Sequence, residues 1–234
     1  MNLQLKSKVS IVTGASRGIG KAISKKLASE GSNIALVARS EKDLENVKSE
    51  ILSESNDIKC EYFICDTRFD DQVKKMVTDV FLLFGSVDIL VNCAGTTNGN
   101  PSHEYTQSDW ELTISTNLKS AFDLSQLVGK EMINTGKGGS IINITSVAAV
   151  LASPQNPAYN AAKGGLRQLT KALAADWGIY NIRVNNLGPG YFHTELNEKS
   201  WKDPKLRKIR SDRSLLKRWA EPFEIIGPAI FLAS

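Results

Sequence analysis

Between the apolar run 9–13 and the helix-period segment 19–29 stands a glycine-rich turn, Thr13-Gly14-Ala15-Ser16-Arg17-Gly18-Ile19-Gly20. Few folds place a buried strand, such a turn and a helix in that order. Glycines there let the backbone approach a pyrophosphate closely, and the N-terminal end of the following helix favours its negative charge. The spacing is wider than G-x-G-x-x-G, and glycines that merely permit close helix packing would look similar. The strand before the turn and the helix after it favour dinucleotide binding, with Gly14, Ser16, Arg17, Gly18, Ile19 and Gly20 as candidate contacts.

The rest of the chain repeats this rhythm. Apolar strand runs at 33–38, 60–65, 89–92, 140–145 and 182–187 alternate with helical periods at 41–55, 71–84, 108–134 and 159–177, and glycines at 31 and 136–139 punctuate them. Alternation of this kind predicts an α/β fold, a doubly wound parallel sheet with helices on both faces, since apolar strands of this length need cover on two sides. The 234 residues read as one domain, 1–234. After Gly190 the rhythm breaks. The stretch at about 191–220 is charged and aromatic, and reads as a substrate lid over the sheet edge where ligands bind in such folds.

Composition excludes several classes. No run of 18 apolar residues suggests a membrane span, and a net charge of +4 from mixed signs does not argue for nucleic acid. Residues 1–8 lack the apolar region of a leader, so a cytoplasmic location is expected. Cys60, Cys65 and Cys93 are odd in number and lack zinc spacing, which suggests buried thiols; His103 and His193 have no acidic cluster beside them, so no metal is expected.

The second strand ends in Ala38-Arg39-Ser40, without the acid that would hold two ribose hydroxyls. Arg39 and Ser40, with Arg17 approaching from the glycine turn, suit a 2′-phosphate, and so the expected cofactor is NADP(H). Asp66 follows the third strand, placed either for the adenine amino group or as a helix cap. In Asn92-Cys93-Ala94-Gly95 the small residues would let the backbone lie against the adenosine ribose, making Asn92, Ala94 and Gly95 candidates.

Tyr159 and Lys163, four apart, share one helix face. Bringing a phenol from its usual pKa of about 10 to about 7 takes about 4 kcal/mol of preferential phenolate stabilisation, and a lysine one turn away is a source. Ser146 ends the fifth strand at the same sheet edge, where its hydroxyl can donate to a carbonyl oxygen that gains charge.

Together, the glycine turn, Asn92-Cys93-Ala94-Gly95, Ser146, Tyr159-Asn160-Ala161-Ala162-Lys163 and Pro189-Gly190 resemble the short-chain dehydrogenase/reductase family, in register over the whole chain. That resemblance implies a single-domain Rossmann fold and an oxidoreductase. Tyr159 would be the general acid in reduction and base in oxidation. Lys163 would lower the tyrosine pKa and bind the nicotinamide ribose, and Ser146 would orient the substrate oxygen. Asn117 would hold a water of a proton relay, while Pro189, Gly190, Phe192 and Thr194 would meet the carboxamide. It also implies a homotetramer or homodimer.

Two departures stand out. Cys93 replaces an asparagine common in the family, and members usually continue past Ser234 into a last strand. The segments 188–196 and 217–222 look most like gluconate 5-dehydrogenases and related sugar-acid or polyol dehydrogenases. The alternatives are a 3-oxoacyl carrier-protein reductase, against which Tyr180 stands in place of an arginine, and a non-catalytic dinucleotide sensor, against which the Ser, Tyr and Lys set is intact. Nine cations between Lys199 and Arg218, answered there only by Asp203 and Asp212, suggest a basic lid and an anionic substrate.

Overall fold

A computed structural model describes residues 4–234; residues 1–3, part of the opening weighed above for a leader, lie outside them. Six strands form one parallel sheet: β1 (Val9–Thr13), β2 (Asn33–Ala38), β3 (Cys60–Ile64), β4 (Ile89–Asn92), β5 (Gly139–Ile144) and β6 (Ile182–Leu187), in the order β3-β2-β1-β4-β5-β6. The order reverses between β1 and β4, and the crevice outside the carboxyl ends of those strands is where such sheets receive ligands.

The two-residue period of the strands divides the core. Val12, Ile34 and Leu36 face one side, packing with Ile23 and Leu27 of α1 (Gly18–Ser29), with Leu44, Val47 and Ile51 of α2 (Glu41–Glu54) and with residues of the last helix. Their chain neighbours Ile11, Ala35 and Val37 face the other side. There they meet Val73, Met76 and Val80 of α3 (Asp70–Phe84).

The helix expected at 108–134 is divided. α4 (Gln107–Ile114) and α5 (Ser120–Thr135) flank a π-helical turn, Ser115–Lys119, that carries the buried Asn117. No proline or glycine marks this break; it is a tertiary accommodation that re-aims one side chain. α6 (Pro157–Trp177) starts on Pro157, whose fixed φ suits a first helical turn, and carries Tyr159 and Lys163.

The segment beyond β6 contains α7 (Glu198–Lys202) and α8 (Pro204–Arg213), and Phe192 pairs with Ala220 at its base. α9 (Ile226–Ala233) returns to the core through Ala229 and Ile230. Among the described residues, no helix is long and apolar enough to cross a membrane, and no group of three His, Cys, Asp or Glu is arranged to hold a metal.

Candidate active site

The glycine turn is a cradle shaped by contact. Gly14 has φ of 64°, and a Cβ on it would lie 3.0 Å from Ala94 Cα, so the turn packs directly on the loop after β4. The Thr13 hydroxyl accepts from the amides of Cys93 and Ala94 at 3.0 and 3.1 Å, fixing that contact. A Cβ on Gly20 would lie 2.2 Å from the Gly14 carbonyl oxygen, which no side chain allows. Arg17 precedes α1 with no side-chain hydrogen bond to its first amides. A cleft of about 620 Å³ opens here, lined by Gly14, Ser16, Arg17, Gly18, Ile19 and Gly20. Its size and backbone lining fit an extended phosphate-containing cofactor.

Arg39, Ser40 and Asp66 line the far end of the same cleft. Both Arg17 and Arg39 are exposed there. Asp66 is already engaged: the Arg68 side chain donates to both its carboxylate oxygens at 2.6–3.1 Å, and Arg39 stands 4.0 Å away. The Arg68 hydrogen bonds hold the Asp66 carboxyl below its usual range. Sequence reasoning missed Arg68. Its signal was an Asp-x-Arg triplet directly after a strand, close enough for a local ion pair.

Ala94 and Gly95 line the cleft, but Asn92 does not, contrary to the sequence expectation. Its amide is buried under the sheet and donates to Ser125 Oγ at 3.0 Å and Asn143 Oδ1 at 2.8 Å. The alternation of a strand explains this. A residue one place before the loop points to the opposite side from its neighbour Cys93, which does line the cleft.

At the near end, Ser146, Tyr159 and Lys163 converge with Pro189, Gly190, Phe192 and Thr194. Lys163 is buried, and its Nζ donates to the Ile144 carbonyl at 2.7 Å while lying 5.8 Å from the Tyr159 ring centre. Burial pulls its ammonium down to about 8. The Tyr159 phenol is raised by burial, opposed by a hydrogen bond with Ser146. Among the chain's own groups, burial is the largest influence on this phenol and the Ser146 hydrogen bond is what opposes it.

Asn117 also lines the cleft. Its Nδ2 donates to the Thr96 and Thr113 carbonyls, both at 2.8 Å, and its Oδ1 accepts from the Thr96 amide at 3.3 Å. One amide proton and the amide oxygen thus pin the loop after β4 at Thr96, while the other proton bonds back to α4 at Thr113. A Cβ on Gly95 would come within 2.9 Å of the Asn117 oxygen. The side chain works first as a brace.

A second, smaller pocket of about 160 Å³ shares Ser146, Tyr159 and Gly190 with the cleft. Its remaining walls come from the loop before α6, including Asn156, and from the segment beyond β6, including Tyr191, Arg210 and Arg213. Asn156 donates from Nδ2 to Thr97 Oγ1 at 2.7 Å, but its buried Oδ1 has no hydrogen-bond partner among the described residues.

The segment expected to form a lid is held by rings. Trp219 is buried and lies 5.6 Å from Tyr191 and 5.5 Å from Trp201, on which His193 stacks at 4.2 Å. His193 also meets Glu198, five residues on, at 3.2 Å, and Glu221, which folding brings from farther along the chain, at 3.7 Å. Of the cysteines, Cys60 and Cys65 are buried as expected, while Cys93 is only partly so and sits on the cleft.

Residues 8–205 match the short chain dehydrogenase family. The chain is 37% identical over 224 residues to gluconate 5-dehydrogenase of Gluconobacter oxydans, covering 96% of this chain and 86% of that protein. It is 37% identical over 236 residues to D-threitol dehydrogenase of Mycolicibacterium smegmatis, covering 100% and 88%. The fold matches a gluconate 5-dehydrogenase structure from Burkholderia cenocepacia in complex with NADP and tartrate, with a TM-score of 0.94, 34% identity and coverage of 100% and 90%.

Proposed function

This chain belongs to the short-chain dehydrogenase family and is an oxidoreductase acting on CH–OH groups; on that footing we propose that it uses NADP(H) and works on a polyhydroxylated substrate, a sugar acid or polyol. The observation carrying this reading is the meeting of cleft and pocket at Ser146 and Tyr159. A nucleotide held by the glycine cradle and a small substrate held beside the lid would face each other across those two hydroxyls. When bound, NADP(H) supplies or takes the hydride and, oxidised, adds a positive charge near the phenol.

The chain's own groups do the rest. Ser146 Oγ donates to the substrate oxygen as negative charge gathers there, and Tyr159 Oη gives that oxygen a proton in reduction or removes it in oxidation. Lys163, braced on the Ile144 carbonyl, stands 5.8 Å from the centre of the Tyr159 ring and would hold the ribose of the cofactor. Asn117 keeps the loop at Gly95 and Thr96 in place behind them. Arg17 and Arg39 would take the 2′-phosphate. The partnerless Asn156 oxygen favours a hydroxyl-rich substrate, because a buried acceptor without a donor is costly until a ligand supplies one. A homodimer or homotetramer in the cytoplasm goes with the family likeness.

Turnover with NADPH and with NADH, compared for 5-ketogluconate, a neutral ketohexose and a 3-oxoacyl thioester, tests the proposal. The expected order puts the hydroxylated compounds with NADPH first. Turnover of the thioester alone would replace this reading with the carrier-protein reductase.

A further inference from the structure

Folding divides the lid cations into two groups. Lys202 pairs with Glu198, Lys208 with Asp212 and Arg218 with Glu224, and Arg207 lies over Trp201 away from the pocket lining. Arg210 and Arg213 instead line the small pocket beside Ser146 and Tyr159. Neither makes an ion pair among the described residues, and no Asp or Glu stands in that lining. The Arg210 guanidinium lies 5.6 Å from the ring centres of both Tyr191 and Trp219. Burial, with Arg213 adding repulsion, pulls it below the usual arginine range. A guanidinium resting against a pair of rings that touch each other leaves N–H groups for a planar bidentate acceptor. A half-buried cation without a counter-charge, held in place by aromatic contacts, is built to receive an anion.

We propose that Arg210 anchors the carboxylate of a polyhydroxy acid, with Arg213 supporting it at the rim, so that the pocket selects sugar acids over neutral polyols. This rests on the function proposed above and narrows its substrate class. The other cations of the segment, paired or exposed, lie outside the lining of this pocket, so the selectivity belongs to one side chain and not to the net charge of the segment.

The test compares the parent with Arg210→Gln, Arg210→Lys and Arg207→Gln, using NADPH and either 5-ketogluconate or a neutral ketohexose. Arg207→Gln removes an equal charge and a similar ring contact from outside the pocket. Arg210→Gln is expected to raise KM for the acid by about 10- to 100-fold, the loss of one charge-assisted bond, with KM for the ketohexose and Kd for NADPH unmoved. Arg210→Lys should recover part of the loss, and Arg207→Gln should match the parent. Equal changes for both substrates, no change for either, or the same change in Arg207→Gln would overturn the proposal while leaving the oxidoreductase reading intact. If the parent reduces neither compound, the function proposed above is the one that fails. Calorimetric binding of gluconate to the NADPH-bound protein then decides for Arg210. Binding lost in Arg210→Gln and kept in Arg207→Gln supports the anchor; no binding to the parent removes it.

Discussion

The glycine-turn cleft and the smaller pocket proposed for substrate share Ser146, Tyr159 and Gly190, yet they are built by different means. The cleft is a backbone structure. Gly14 and Gly20 let main chain touch main chain, and the strands behind them are buried in the sheet. The pocket is a side-chain structure, whose lid walls depend on Tyr191, Trp201 and Trp219 meeting one another, while α7 and α8 bury none of their own residues. A rigid half beside a lightly anchored half suits a site that holds one cofactor and admits a varying substrate.

The sharpest way to divide the two halves is the group they share. Tyr159→Phe keeps the ring and removes the proton donor, so kcat should fall by about 10²- to 10⁴-fold with NADPH affinity unchanged. Half the parent turnover surviving in stopped-flow assays would place the proton source elsewhere.

Arg39→Asp addresses only the cleft. It should weaken NADPH binding by about 10- to 100-fold, measured by fluorescence titration, and improve NADH relative to NADPH, since it trades one charge-assisted contact for repulsion of a phosphate. A parent enzyme equally efficient with both cofactors would end the NADP(H) assignment.

Gly20→Ala probes the backbone contact. The added methyl meets the Gly14 carbonyl, and the expected cost is the overpacking penalty of about 1–3 kcal/mol, read as a lower urea midpoint together with weaker cofactor binding. An unaltered midpoint would mean that the cradle is looser than its geometry.

The smallest effect expected is on alkaline stability. Burial pushes Cys60, Cys65 and Cys93 up to about 12, 11 and 12, so the folded state keeps protons that the unfolded chain releases. Their contribution is complete below the usual thiol value of 9.0 and is lost as pH climbs toward 12. Lys163 acts in the opposite sense: with its pKa lowered from 10.5 to about 8, stability gains as pH rises between those values. The urea midpoint should rise slightly between about pH 8 and 9, where Lys163 acts alone, and fall beyond it, because three thiols outweigh one lysine. A midpoint still rising above pH 10.5 would show that the thiols are not protected.

Much of the site was legible because its parts are local. Gly14 to Gly20 lie in one turn, Tyr159 and Lys163 on one helical face, and Ser146 at one strand end. Misreadings arose where orientation or distant contact decides. Asn92 was assigned to the cofactor, and the strand alternation turned it under the sheet to Asn143. Asn117 sits in a π-helical turn with no proline or glycine to announce it. Arg68 went unnoticed because an ion pair to Asp66 depends on how the chain leaves β3.

The order of strands and helices, the glycine turn and the Ser, Tyr and Lys set were in the amino-acid order, since period, turn chemistry and helix spacing act over a few residues. The number of cations on the lid was there too. Which of them lines the pocket beside Ser146 and Tyr159 was not. Lys208 finds Asp212 one turn away, whereas Arg210 is carried against Tyr191 and Trp219, rings that meet where the Phe192 and Ala220 backbones pair. A short-range ion pair needs no fold, but a desolvated cation at a pocket wall exists only once distant segments have packed around it.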